Sequence, residues 1–229
     1  MVVADPYGEL TRLIISRGDP PADSFSASDI RTAQLLRRRF GLSLPAPLAD
    51  DIDTNEPVRV ATPHDAGAIA LTKWRCFGVN YRGGGLSDEF LDNRELVPPV
   101  SFWTGRALVP PSPNHRLLVW GRPGQVLGYA DLGPVHDEDK DPELVDAGEV
   151  YELYIDPMAQ GLGGGSKLLD GASEWFASRG LGRMELWVLA TNPKAQGFYR
   201  SRGWNDTGRC QHVDLEVVAF DEVRFSLQI

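Results

Sequence analysis

The stretch MAQGLGGGSK, Met158 to Lys167, sets four glycines within ten residues, between the apolar run VYELYID and a helical pattern. Glycine loses more conformational entropy on folding than other residues, so this density implies that something approaches the backbone closely. A strand, a glycine-rich turn and a helix in that order form an anion site. The first N–H groups of the helix lack intrahelical acceptors, and the helix dipole favours negative charge beside them.

Three phosphate-binding patterns compete for this loop. A P-loop needs GxxxxGK followed by Ser or Thr, with the lysine on the terminal phosphates and the hydroxyl on magnesium. Here the order is Gly165-Ser166-Lys167, with the two side chains transposed, and the pattern fails. A GxGxxG dinucleotide loop starts well at Gly161-Leu162-Gly163. Ser166 takes its sixth place, however, and no βαβ unit begins the chain. The third pattern, Q-x-x-G-x-G, is met in full by Gln160-Gly161-Leu162-Gly163-Gly164-Gly165. It suits a pyrophosphate that is held and never cleaved, as in coenzyme A, and so requires no catalytic lysine or metal.

A second block, LWVLATNPKAQGFYRSRGW (186–204), contains N-x-x-A-x-x-F-Y-x-x-x-G-W at Asn192, Ala195, Phe198, Tyr199, Gly203 and Trp204. Together with GEVYELYIDPMAQGLGGGSKLL (148–169), in this order and spacing, it resembles the GNAT superfamily of N-acyltransferases. The similarity runs over residues 57–229 as one N-acetyltransferase domain, with 1–56 as a helical N-terminal extension and linker. The implied fold is α/β (α+β): a mixed, mostly antiparallel central sheet, splayed between two central strands and flanked by helices. The implied activity moves an acetyl group from acetyl-CoA, the cosubstrate, to a primary amine of a small molecule or peptide by direct attack, with no metal. A coenzyme A-binding regulatory or interaction module without turnover is the alternative.

Acylating an amine with a thioester sets three tasks. The amine, near pKa 10.4 for a lysine type, must lose a proton; the tetrahedral oxyanion needs donors; the thiolate leaves more easily when protonated. The resemblance assigns the pyrophosphate to the N–H groups of Gln160, Gly161, Leu162, Gly163, Gly164 and Gly165, with Ser166 at the helix start. The pantetheine arm pairs like an extra strand with Leu153-Tyr154-Ile155, and Asn192 contacts coenzyme A. Tyr199 matches the general acid, its hydroxyl aimed at the sulfur. Glu149 and Glu152 are the candidate bases, Glu149 preferred because it matches the family's acidic position, with a water chain open as a third route. Three residues apart, they lie on opposite faces of a regular strand, so only one enters the cleft unless a bulge intervenes.

The rest of the chain reads as ordinary globular sequence. Net charge is −9, which argues against bulk nucleic-acid binding, since that affinity comes from cations neutralising phosphates. No apolar run is long enough for a membrane span, and the first residues lack a secretion signal. Cys76 and Cys210 are isolated, which with the missing signal points to a cytoplasmic protein with free thiols. The histidines, at 64, 115, 136 and 212, show no metal-ligand spacing.

Strands are expected at 58–61, 115–121, 125–133, 150–155, 183–189, 212–220 and 221–229, and helices at 63–77, 165–180 and from Pro193. Residues 7–15 and 26–41 form two further helices, with a homodimer contact or a cover over the fold among their open roles. The aromatic segment 74–93, with a capped helix start at Ser87, is either an acceptor-covering lid or a packed helix pair. The acidic run 136–149 is either a solvated loop or a means of attracting a cationic acceptor.

Overall fold

The computed structural model describes residues 55–80, 98–123, 125–136, 146–214 and 219–229, the side chains of 77–80 excepted. The expected helices at 7–15 and 26–41, most of segment 74–93 and most of the acidic run, residues 137–145, lie outside the described residues.

In chain order the elements are strand β1 (Val58–Val60), a 3-10 turn (Pro63–Asp65) leading into helix α1 (Ala66–Asn80), helix α2 (Val100–Leu108), and strands β2 (Arg116–Trp120), β3 (Gly128–Pro134) and β4 (Ala147–Ile155). Helix α3 (Gly164–Ala177), strand β5 (Arg183–Leu189), helix α4 (Pro193–Ser201) and the hairpin β6 (Asn205–Asp214) and β7 (Ala219–Gln228) follow. The sheet order is β1-β2-β3-β4-β5-β7-β6, antiparallel throughout except for β4 against β5. This is the expected mixed, mostly antiparallel sheet flanked by helices. Among the described residues no helix is long and apolar enough to cross a membrane.

Two apolar layers sandwich the sheet. On one face Leu168, Leu169, Ala172 and Phe176 of α3 meet Leu118, Ala130, Val150, Met184 and Leu186 from successive strands. Their one-, three- and four-residue spacing is the stripe that a helix must bury. Gly180, at φ 76, ends that run, with the Leu181 N–H returning to the Phe176 carbonyl at 3.1 Å. On the other face Ile69 and Ala70 of α1, and Val100 and Trp103 of α2, cover Leu117, Val119 and Tyr129.

Helix α2 was not anticipated. It is short, begins after Pro99, and buries only Val100 and Trp103, too few positions to show a helical period. The final hairpin also differs from expectation: its first strand starts at Asn205 and ends at Asp214, where 212–220 was expected. As the sheet's edge strand, β6 is largely exposed and mostly polar, so it lacks the apolar alternation that marks a half-buried strand.

The start of α1 is tied to β1 by charge. Asp65, fully buried, accepts from Arg59 Nη1 and Nη2 at 2.8 and 2.7 Å, and from the Thr62 N–H and hydroxyl at 2.8 and 2.9 Å. Burial alone raises a carboxyl's pKa, but the Arg59 and Thr62 bonds outweigh it and hold Asp65 below its ordinary range. Asp65→Asn is therefore expected to lower stability near neutral pH by about 2 kcal/mol in denaturant melts. A depressed carboxyl stabilises the fold above its unfolded pKa of about 3.9 and loses that contribution as pH falls through its folded value. The gap between wild type and variant should hence close in acid, below about pH 4.

Candidate active site

Strands β4 and β5 pair in parallel only where Ala147, Gly148 and Glu149 face Arg183, Met184 and Glu185. Beyond that point they part, and the gap opens into a cavity of about 630 Å³. Leu153 and Ile155 form its β4 wall; Gln160, Gly161, Gly163, Gly164, Gly165 and Ser166 its loop wall; Asn192, Lys194, Ala195, Phe198 and Tyr199 its α4 wall. Distant sequence blocks thus converge on one cleft. Of the expected donor-binding residues, Leu162 and Tyr154 do not line it. Leu162 is exposed, and the Tyr154 ring packs on the opposite face against Tyr129.

The loop glycines answer to different needs. Gly161 and Gly163 have φ 80 and 86, left-handed values that strain any side-chain-bearing residue. A Cβ on either would enter open space. Gly164 and Gly165 are close approaches within the protein itself: a Cβ on Gly164 would lie 2.1 Å from Trp120 Cε3, and one on Gly165 3.1 Å from Phe198 Cζ. Gly163 is the N-cap of α3 and brings no side chain to its first turn. The N–H groups of Gly164, Gly165 and Ser166 therefore have no intrahelical acceptor at the cavity wall.

Helix α4 is set by its own sequence. Asn192 caps it, its Oδ1 accepting from the Ala195 N–H at 3.0 Å, with Pro193 at the first helical position. Across the mouth, Lys194 Nζ donates to Gln160 Oε1 at 2.8 Å. One turn further, Tyr199 is nearly buried, its ring against Phe198, Trp204 and Phe225. The Ile155 carbonyl on the opposite wall accepts from Cys76 Sγ at 3.0 Å, and burial, with Asp156 nearby, keeps that thiol protonated.

The two strand glutamates correct the regular-strand expectation. Leu132 pairs with Val150 but Asp131 with Glu152, so Tyr151 is an extra residue and β4 is bulged there. The bulge brings Glu149, Tyr151 and Glu152 to the same face, opposite Val150 and Leu153. Glu152 is fully engaged: Lys73 Nζ contacts Oε1 and the Tyr129 hydroxyl donates to Oε2 at 2.6 Å. Burial, then the neighbouring carboxylate, holds the Tyr129 hydroxyl far above its ordinary pKa, so it remains a donor. Glu149, 4% exposed, accepts from the His136 N–H at 3.1 Å, with His136 Nδ1 2.9 Å from the same oxygen.

Comparison with known proteins bears on this arrangement. The model of the acetyltransferase (GNAT) family matches residues 85–204, just over half the chain. The chain belongs to the GNAT family. It is 29% identical over 197 residues to a mycothiol acetyltransferase of Rhodococcus erythropolis, covering 85% of this chain and 59% of that protein. A mycothiol acetyltransferase of Acidothermus cellulolyticus is 44% identical over 204 residues, covering 84% and 58%. The chain thus spans about three fifths of the length of these relatives. In fold it is similar to the paia N-acetyltransferase of Thermoplasma acidophilum, solved with coenzyme A, at TM-score 0.59 and 16% identity over 75% of this chain and 98% of that one.

The GNAT sheet carries a polar cluster on the bulged face that the sequence did not disclose. Arg106 of α2 grips Asp131 of β3, with Nε at 3.0 Å from both carboxylate oxygens and a third contact from Nη2 to Oδ2 at 2.9 Å. Burial pushes the Asp131 carboxyl up to about 6 despite Arg106. Burial, followed by Arg106 and His136, lowers the His115 pKa. Lys73, Arg106 and Tyr129 were missed because each meets its carboxylate across long sequence separations or between strands. His136 was visible only as a histidine without metal-ligand spacing and as the first residue of an acidic run.

The loop supplies one direct test. Gly163→Val should weaken acetyl-CoA binding about ten-fold, since its side chain would enter the open space beside the first-turn N–H groups at the cavity wall and keep an anion from approaching them. Calorimetric titration checks this; unchanged affinity would mean that the loop is only a turn.

Proposed function

We propose that this chain is an acetyl-CoA-dependent N-acetyltransferase acting by direct attack of an amine on the thioester. The observation that carries the proposal is the cleft where β4 and β5 part, which collects the glycine loop, Asn192 and Tyr199 around one cavity. The first-turn N–H groups of α3 would hold the pyrophosphate, with the dipole of a fourteen-residue helix behind them. The edge of β4 turned toward the cavity at Leu153 and Ile155 would pair with the pantetheine. Tyr199 stands across the cleft as the proton donor to the leaving sulfur, and the Glu149 side of the bulged strand receives the proton of the amine.

Glu152 is assigned a positioning role, because Lys73 and Tyr129 already occupy its two oxygens. The proposed acceptor is a small-molecule amine, supported by the similarity to the mycothiol acetyltransferases. A cationic acceptor would suit an overall charge of −9. Incubation with carbon-13-labelled acetyl-CoA and a panel of amino sugars, polyamines, amino acids and lysine peptides, followed by mass spectrometry, tests the proposal. The expected product is one N-acetylated amine; label found only in acetyl-CoA or free acetate would contradict it.

A further inference from the structure

We propose that the group taking the proton from the attacking amine is the His136 imidazole, and that Glu149 acts through it by orienting the ring. The inference rests on the acetyl-transfer function proposed above. Its basis is the contrast within one hydrogen-bonded pair. The Glu149 side chain is 6% exposed, whereas that of His136 is 59% exposed. Glu149 Oε2 meets both the backbone N–H and the Nδ1 of His136, which occupies both lone pairs of that oxygen. A carboxylate at Nδ1 fixes the neutral ring with its proton there, leaving the lone pair on Nε2. That is the division of roles between carboxylate and imidazole in the hydrolase triad.

The ring is also held by shape. It packs on Tyr151 with centroids 4.5 Å apart, and the Tyr151 hydroxyl donates to the Pro134 carbonyl. Tyr151 is the residue added by the bulge, so the distortion of β4 both turns Glu149 and Glu152 to one face and builds the platform for His136. Among the described residues, the charged and titratable groups around the ring are Glu149 and Tyr151 of β4, His115 ahead of β2 and Arg106 of α2, which lies over Tyr151 at 5.8 Å. The sequence continues from His136 as Asp137-Glu138-Asp139.

The protons balance. The ammonium gives one proton to Nε2, and the freed lone pair forms the C–N bond. The C–S bond then breaks with its electron pair on sulfur, which takes the Tyr199 proton. The second proton lost by nitrogen restores Tyr199. The imidazolium, paired with Glu149, returns its proton to bulk water, so one proton is released for each amide formed.

The test compares wild type, His136→Ala and Glu149→Gln by acceptor-dependent thiol release across pH, with and without added imidazole, alongside nitrogen-15 spectra of the His136 ring. His136→Ala should lose kcat ten-fold or more at unchanged acetyl-CoA affinity, and imidazole should restore a measurable part. Glu149→Gln should lose less and reduce the Nδ1–H tautomer of His136. Full activity in His136→Ala, a loss that imidazole does not relieve, or an unchanged tautomer in Glu149→Gln would overturn the assignment. A wild type that binds acetyl-CoA but acetylates no amine would defeat the acetyl-transfer function itself, and this role with it. Turnover with an inert His136 would defeat this role alone.

Discussion

Tyr199→Phe is expected to reduce kcat by about 10²-fold while leaving acetyl-CoA affinity within about two-fold. The substitution removes one hydroxyl and little else. The Tyr199 ring sits 5.3 Å from Phe198, 5.7 Å from Trp204 and 6.1 Å from Phe225, centroid to centroid, and phenylalanine retains those contacts. A thiolate whose thiol has a pKa of about 8.5 leaves more easily when protonated, so the lost proton donor should appear in kcat rather than in binding. Steady-state kinetics with direct titration of acetyl-CoA separate the two. A raised KM with intact kcat would make Tyr199 a binding residue, and unchanged kinetics would remove it from the mechanism.

Gly164→Ala is expected to cost about 3 kcal/mol of stability, a drop in Tm of about 6–12 °C for a chain of this size. The new methyl would stand 2.1 and 2.2 Å from two atoms of the Trp120 ring. That ring cannot retreat easily. It is fully buried in the core beneath α3, and its Nε1 donates to the Glu56 carbonyl at 3.0 Å. Relief requires α3 to lift at its first turn, which also displaces the N–H groups of Gly164, Gly165 and Ser166. Acetyl-CoA should therefore bind more weakly to the variant and recover less of its Tm. Gly163→Ala is the comparison for stability alone, since its Cβ meets open space and only its left-handed backbone is strained, by about 1–2 kcal/mol. Equal melting temperatures for wild type and Gly164→Ala would show that the contact with Trp120 is not tight.

The contrast between neighbouring glycines marks the limit of sequence reading at this loop. Local features were legible: the stripe of Leu168, Leu169, Ala172 and Phe176, the stop at Gly180, and the Asn192-Pro193 start of α4 all depend on residues within a few positions of one another. The reason for each glycine was not. The sequence suggested that ligand approach explains the run, whereas Gly164 is held small by Trp120, some forty residues earlier, and Gly165 by Phe198.

The bulged face of β4 was less legible still. Whether Glu149 and Glu152 share a face depends on the register of β3 against β4, a property of two strands that neither states alone. The partners of Glu152 illustrate the same point: Lys73 lies 79 residues away and Tyr129 on the adjacent strand. Helix α2 and strand β6 escaped because one is short and the other is an exposed edge, where burial imposes no pattern.

The measurement that tests the central claim most directly is thiol release from acetyl-CoA by wild type and Tyr199→Phe, side by side, with acceptor amines added singly. Release that depends on one class of amine, and falls about 10²-fold in the variant, is the predicted result. Acetyl-CoA bound tightly at the cleft with no release for any amine, or release that is equal in the two proteins, would contradict it.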